Sequence, residues 1–213
     1  MQTNELLDAL ALDATPKPRS EIKTLLAFAV VGGLLVAMIG VVLTFGLRPD
    51  FWEAVVQPPF WIKAGMTCAT LLIALAITST LARPEGKPGQ GIWLIVLPFV
   101  IVAALALFEL SFASPDQRMA LWLGSTGHPY PLAISSYSVP VFAVLVLAMR
   151  QFAPTRLRLA GFAVGLAAGA VGAGAYVLHC QEDSMTFVAS WYGLAMLIPA
   201  AVGALLGPRL LRW

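Results

Sequence analysis

The chain has 213 residues, 59% of them hydrophobic and 11% charged, with a formal net charge of +2 and a mean hydropathy of +0.84. A soluble domain carries about 25% charged residues, so this composition excludes an ordinary water-soluble globule. The basic residues are spread out, which argues against direct nucleic-acid binding through a phosphate-tracking patch.

In chain order, the first segment is a polar tail, residues 1–23. Thr3 is placed to cap a short helix. Leu6, Leu7 and Leu10 then share one face, and Glu5, Asp8 and Asp13 lie on the other. "TPKPRS" ends that helix and makes a stiff linker. A helix this short is marginal alone in water and is expected to order against something. Two surfaces stand as alternatives. A membrane surface favours a Lys/Arg-rich polar face, and this face is acidic. A protein groove accepts an amphipathic helix through its apolar anchors.

Six apolar runs follow, approximately Thr24–Phe45, Phe60–Leu81, Gly91–Ala113, Pro131–Met149, Leu159–Leu178 and Phe187–Gly207. Each is long enough to cross a hydrocarbon core of about 30 Å at 1.5 Å per residue. None alternates as a barrel strand does. The first run starts after the polar tail, is longer than a leader's apolar core and lacks an A-x-A-like exit, so no cleaved signal peptide is expected. The expected fold is all-α: a polytopic membrane domain of six transmembrane helices over residues 24–207, with a short tail at 208–213. Lys17, Arg19, Lys23, Arg83, Lys87, Arg150, Arg156, Arg158, Arg209 and Arg212 fall on one side, and only Arg48 and Arg118 on the other. That bias places both termini in the cytoplasm.

Several residues inside or beside the runs invite a role. Lys63 lies about one turn into the second run and Glu109 about one turn before the end of the third. Intramembrane ionisable groups are functional candidates by default. These two sit near an interface, where they are expected to snorkel or to pair with each other. "SSYS", Ser135–Ser138, reads as inter-helix hydrogen bonding. Gly161, Gly165 and Gly169 form small-xxx-small steps in the fifth run, either for packing within the chain or as a homodimer face. Cys68, well inside the second run, reads as a buried small hydrophobe.

Cys180 is different. It ends the fifth run on the side expected to be periplasmic, an oxidising compartment, and it is expected to be accessible. A protonated His179 favours a thiolate there, whereas Glu182, Asp183 and the negative end of the helix oppose it. His179, Cys180, Glu182, Asp183 and His128 of the preceding loop are also candidate ligands for a soft metal, though H-C-x-E-D is no recognised zinc pattern. The residues alone leave sensing and an ordinary loop thiol both open.

Five stretches together carry a resemblance: "ELLDALALDA" in the tail, "PPFWIKAGMT" opening the second run, "APTRLRLAG" opening the fifth, "YVLHCQEDSMTFVASWY" before the sixth, and the closing "RLLRW". Over essentially its whole length the chain resembles the NrsF-type negative regulators, membrane anti-sigma factors with six spans and a short cytoplasmic N-terminal tail. The resemblance implies a non-enzymatic, cofactor-free protein of the bacterial inner membrane that holds an extracytoplasmic-function sigma factor. It implies that the N-terminal segment, with Glu5, Leu6, Leu7, Asp8 and Leu10, contributes to sigma binding. It implies that periplasmic cysteines sense oxidants or heavy metals and release the partner. Similar members usually carry a second cysteine near the start of span four, about where this chain has Ala133. An intramolecular disulfide is therefore not expected here. Cys180 either acts alone, through an adduct, a metal or an intermolecular disulfide, or leaves the response blunted. The alternative class, a small transporter or a thiol-redox membrane protein, calls for polar midplane residues or a C-x-x-C pair, and neither is in the sequence.

Overall fold

The computed structural model of the chain describes residues 19–124 and 130–212. The tail candidates Glu5, Leu6, Leu7, Asp8 and Leu10, and also His128, lie outside the described residues. Within them the fold is helical throughout. Helix α1 spans Arg19–Phe45, the short α2 Phe51–Ala54, and α3 Pro58–Leu81. A 3-10 turn, Gln90–Ile95, leads into α4, Val96–Phe112, and α5 follows at Pro115–Leu123. Next come α6, Tyr130–Ser136, α7, Ser138–Met149, and α8, Leu157–Tyr176. The last helical stretch is built from α9, Met185–Phe187, a π-helical turn at Val188–Tyr192, and α10, Gly193–Leu210.

Five helical segments are long and apolar enough to cross a membrane: Ser20–Phe45, Pro58–Leu81, Gln90–Phe112, Leu157–Tyr176 and Met185–Leu210. The fourth expected span is not one straight helix. It is α6 and α7, bent by 43° about Tyr137, and it completes a set of six only when the pair is taken as one span. The cause is Pro140. Its missing N–H and its ring deny the Ser136 carbonyl the i−4 bond that would carry the helix through Tyr137. Two hydroxyls beside the break are hydrogen-bonded. Ser135 Oγ donates to the Ala195 carbonyl at 3.0 Å, and Ser138 Oγ donates back to the Ser135 carbonyl.

Helix α8 is the axis of the bundle. It packs against α10, α3, α7 and α1, and nearly all of its side chains are buried. Its sequence, "LRLAGFAVGLAAGAVGAGAY", explains why: a helix of Ala and Gly is thin enough to admit neighbours on every side. A Cβ added at Gly161 would collide with the Gly203 carbonyl, and one at Gly165 with the Pro199 carbonyl. At Gly169 it would come within 2.8 Å of the Met196 carbonyl. The Gly161–Gly165–Gly169 stripe is thus occupied within the chain by α10 and is not a free homodimer face.

The outer surface carries large apolar side chains, among them Phe28, Leu43, Leu107, Phe112 and Leu205, as lipid-facing helices require. Cys68 is on that surface. It is exposed, not buried as its position in the run suggested, because α3 turns Thr67 and Thr70 inward and Cys68 outward.

Candidate functional site

The charged residues near one end of the bundle converge on the segment that joins α8 to the last span, Val177–Ser184. Arg48 follows α1, and Lys63 lies near the start of α3. The two cations come from opposite sides of the α1–α3 connection and meet on the same loop. Arg48 N–H donates to the Leu178 carbonyl at 3.1 Å, and its Nη1 donates to the Cys180 carbonyl at 3.1 Å. Its Nε and Nη2 form a two-point contact with Asp50 at 2.8 and 2.7 Å, the fork geometry that suits a guanidinium and a carboxylate. The hydrogen bond from Arg48 holds the Asp50 carboxyl below its ordinary pKa, and the same bond holds the Arg48 guanidinium above its own.

Lys63 does not snorkel. Its side chain is 0% exposed. An ammonium has three N–H donors, and three acceptors surround it: the Cys180 carbonyl at 3.3 Å, the Glu182 carbonyl at 2.8 Å and Asp183 Oδ1 at 3.1 Å. Arg48 also approaches Asp183, at 3.7 Å. A buried ammonium is tolerated only when paired and hydrogen-bonded, and this loop supplies both. Lys63 therefore pairs with Asp183 and not with Glu109.

Glu109, near the end of α4, has a separate task. Its Oε2 accepts from Thr186 N–H at 2.8 Å, Thr186 Oγ1 at 2.7 Å and Ser184 Oγ at 2.8 Å, and its Oε1 accepts from Met185 N–H at 3.2 Å. These donors are the first turn of the last span, whose N–H groups have no partner within the helix. Glu109 is a capping carboxylate lent by a neighbouring helix, placed where the helix dipole favours a negative charge. Ser184 completes the cap by accepting from Phe187 N–H at 3.3 Å.

Cys180 sits between these two anchors. It is 3% exposed, so the accessible thiol expected from the sequence is corrected. Burial pushes the thiol's pKa up, partly offset by the Lys63 charge. The Tyr192 hydroxyl, placed by the π-helical turn, lies beside the thiol. It is itself buried and makes no hydrogen bond among the described residues. His179 turns the other way. Its Nδ1 donates to the Gly46 carbonyl at 3.1 Å, its ring stacks on Phe45 at 5.0 Å, and it meets Tyr176 edge-on. A carbonyl can only accept, so Nδ1 carries a proton. Glu182 uses its carbonyl on Lys63, and its carboxylate lies close to Gly124. The four described candidates, His179, Cys180, Glu182 and Asp183, share one loop, yet their side chains diverge. Among the described residues no group of three or more His, Cys, Asp or Glu side chains is placed to hold a metal ion.

A thiolate is the reactive form, so the folded chain should shield Cys180. A water-soluble maleimide should label it much more slowly in mild detergent than after unfolding in dodecyl sulfate, in a Cys68→Ser background followed by intact mass. Equal rates would place the thiol outside the core.

Reasoning from the sequence missed Arg48, Asp50, Ser184, Thr186 and Tyr192. In the sequence Arg48 stands out only as a marker of topology. Its signal was a cation directly after an apolar run with a carboxylate two residues on. Ser184 carried a helix-start signal, a small hydroxyl residue just before the apolar sixth run.

The geometry defines a class first: a helical protein with segments long and apolar enough to cross a membrane, whose buried cations clamp one inter-helix loop. The chain belongs to the NrsF family, described as negative regulator of sigma F, whose family model matches residues 10–213. It is 40% identical over 213 residues, covering all of both chains, to a probable anti-sigma-F factor NrsF of Azospira oryzae (strain ATCC BAA-33 / DSM 13638 / PS). It is 37% identical over 221 residues, again covering both chains, to the anti-sigma-F factor NrsF of Caulobacter vibrioides (strain NA1000 / CB15N). No solved structure matches the chain.

Proposed function

We propose that this protein is a membrane anti-sigma factor. It holds an extracytoplasmic-function sigma factor at the inner membrane through the segment Glu5–Leu10, with both termini in the cytoplasm, and releases it when chemistry at Cys180 opens the loop clamp. The observation that carries the reading is full-length similarity to two proteins named as anti-sigma-F factors. The acidic, amphipathic pattern of Glu5, Leu6, Leu7, Asp8 and Leu10 supports the role given to the tail, and it suits a groove better than an anionic lipid surface.

The clamp supports the release step. The carbonyl of Cys180 takes hydrogen bonds from both Arg48 and Lys63. During a transient opening of the loop the thiolate attacks a peroxide, and the product then holds the loop open: a sulfur–oxygen bond forms, the O–O bond breaks, and the product is a sulfenic acid plus hydroxide. A thiol-reactive metal adds to the same sulfur. Either product is bulkier than the thiol and does not return to the 3% exposed position beside Tyr192. Shifting a two-state equilibrium from 1:99 to 99:1 takes about 5.5 kcal/mol. Hydrogen bonds to charged groups contribute about 1.5–3 kcal/mol each, so loss of both bonds at one carbonyl supplies about 3–6 kcal/mol, which reaches the required size at its upper end.

The broken span α6–α7 is a feature that transporters also use. Here the hydroxyls of Ser135 and Ser138 at the break are both donated to backbone carbonyls, and the reading as a regulator stands.

The test is a pull-down of the full chain in detergent, with and without residues 1–14, before and after oxidant. Capture of a sigma factor that needs the tail, and that oxidant abolishes unless Cys180 is changed to Ala, is the expected result. Capture without loss on oxidation would remove the switch. No capture would remove the anti-sigma reading.

A further inference from the structure

The end of the bundle away from Cys180 holds a feature that the clamp does not use. A groove of about 630 Å³ opens between the start of α1 and the end of α3. Lys23 lines it from α1, and Arg83 and Lys87 line it from the turn after α3. Among the described residues Glu85 is the one acid in the lining. The sequence scatters these cations over separate segments, and the fold gathers them. Among the described residues none of the three makes an ion pair. The turn that carries two of them is firmly placed. Gly86 packs so closely on the Thr80 carbonyl that a Cβ there would collide with it, and Thr155 Oγ1 donates to the Pro84 carbonyl at 2.9 Å.

We infer that this groove binds the headgroup of an anionic phospholipid, with Lys23, Arg83 and Lys87 on the phosphate. Charge alone would equally suit a soluble phosphate. The stripe below the groove favours lipid. Cys68, Leu72, Ala76 and Thr80 recur every fourth residue along α3 and therefore share one face, and all four are exposed. Read from the hydrocarbon outward, that face is apolar at Leu72 and Ala76, hydroxylated at Ser79 and Thr80, and cationic at Arg83. A phospholipid has the same order: acyl chain, ester and glycerol, phosphate. From Leu72 to Arg83 the stripe runs roughly 16 Å at 1.5 Å per residue, enough to follow an acyl chain across much of one leaflet. Basic pockets between transmembrane helices bind anionic headgroups in this manner. The proposal is independent of the anti-sigma reading.

The experiment is native mass spectrometry of the full chain released from detergent containing either phosphatidylglycerol or phosphatidylcholine of matched acyl length. The chain should retain one phosphatidylglycerol through washes that strip phosphatidylcholine. Lys23→Gln, Arg83→Gln and Lys87→Gln should each lower retention about fivefold, the effect of one cation near an anionic surface, and Glu85→Gln should raise it. Arg150→Gln with Arg156→Gln removes charge outside the groove lining and should leave retention unchanged. A melting midpoint for each variant shows that the loss is not unfolding. Three results would overturn the proposal: equal retention of both lipids, competition by millimolar glycerol phosphate as effective as by lipid, or retention that appears only after residues 1–14 are deleted. The second would assign the groove to a soluble phosphate, and the third to the acidic tail of the same chain.

Discussion

Lys63→Met should lower the thermal stability of the detergent-solubilised protein more than any other single change at the clamp. The ammonium is 0% exposed and uses all three donors. Methionine fills similar volume and returns none of them. The carbonyls of Cys180 and Glu182 lose a donor, and Asp183 keeps only Arg48 at 3.7 Å. Removing one partner of a buried pair costs on the order of 3 kcal/mol. Asp183→Asn supplies the contrast. That side chain is 40% exposed, so water screens part of its charge, and the amide oxygen of Asn can still accept from Lys63; its loss should cost less than the loss of Lys63. The expected order, a large fall for Lys63→Met and a small one for Asp183→Asn, separates carbonyl capping from ion pairing. Equal effects would mean that the ion pair dominates and the tripod on the loop carbonyls does not. The same variant links stability to function: maleimide labelling of Cys180 should accelerate in Lys63→Met, and under the proposed release the sigma factor should be lost without any oxidant.

The spans were legible because lipid leaves no ambiguity. A run of apolar residues long enough to cross hydrocarbon must be helical there, since no water is present to satisfy its backbone. The break at Tyr137 was legible in principle from Pro140, but composition and length mask it, because both halves remain apolar. The clamp was half legible. Lys63, Glu109, Cys180 and Asp183 stand out as polar residues in or beside apolar runs, yet their partners do not. Which carboxylate Lys63 meets depends on how α3 packs beside α8, and no spacing within one run encodes that. The pairing of Lys63 with Asp183, and of Glu109 with the first turn of the last span, joins residues far apart in the chain. Accessibility of Cys180 was misread for a related reason. A residue at the end of a span lies near the interface in depth, but lateral burial is set by neighbours, here Tyr192 from the π-helical turn and the loop over it. Cys68 failed in the opposite sense. Its depth was inferred well inside the run, but the face it occupies follows from which side of α3 packs on α8.

Gly165→Ala should separate the two most tightly packed helices. The new methyl group would meet the carbonyl of Pro199 in α10, a backbone atom that no rotamer change can move. The helices must part, and the cavities that open between them add to the strain. Overpacking a tight core costs about 1–3 kcal/mol, and with backbone as the obstacle the upper end is expected. Two other glycines calibrate the result. At Gly174 the added Cβ makes an ordinary 3.4 Å contact with Thr67 Oγ1, and at Gly32 it meets nothing within 4 Å. Both Ala variants should be neutral or gain up to about 1 kcal/mol from helix propensity. The measurement is the unfolding midpoint of all three variants together with their mass by light scattering. A lowered midpoint for Gly165→Ala at unchanged mass fits packing within one chain. An unchanged midpoint with a smaller assembly would mean that the stripe joins two copies and that α10 does not occupy it. The distinction reaches the other end of the molecule, because α8 carries the Cys180 loop at its end and α10 continues, through the π-helical turn and α9, from the first turn that Glu109 caps. Any change in how these two helices meet is passed directly to the residues that hold the clamp closed.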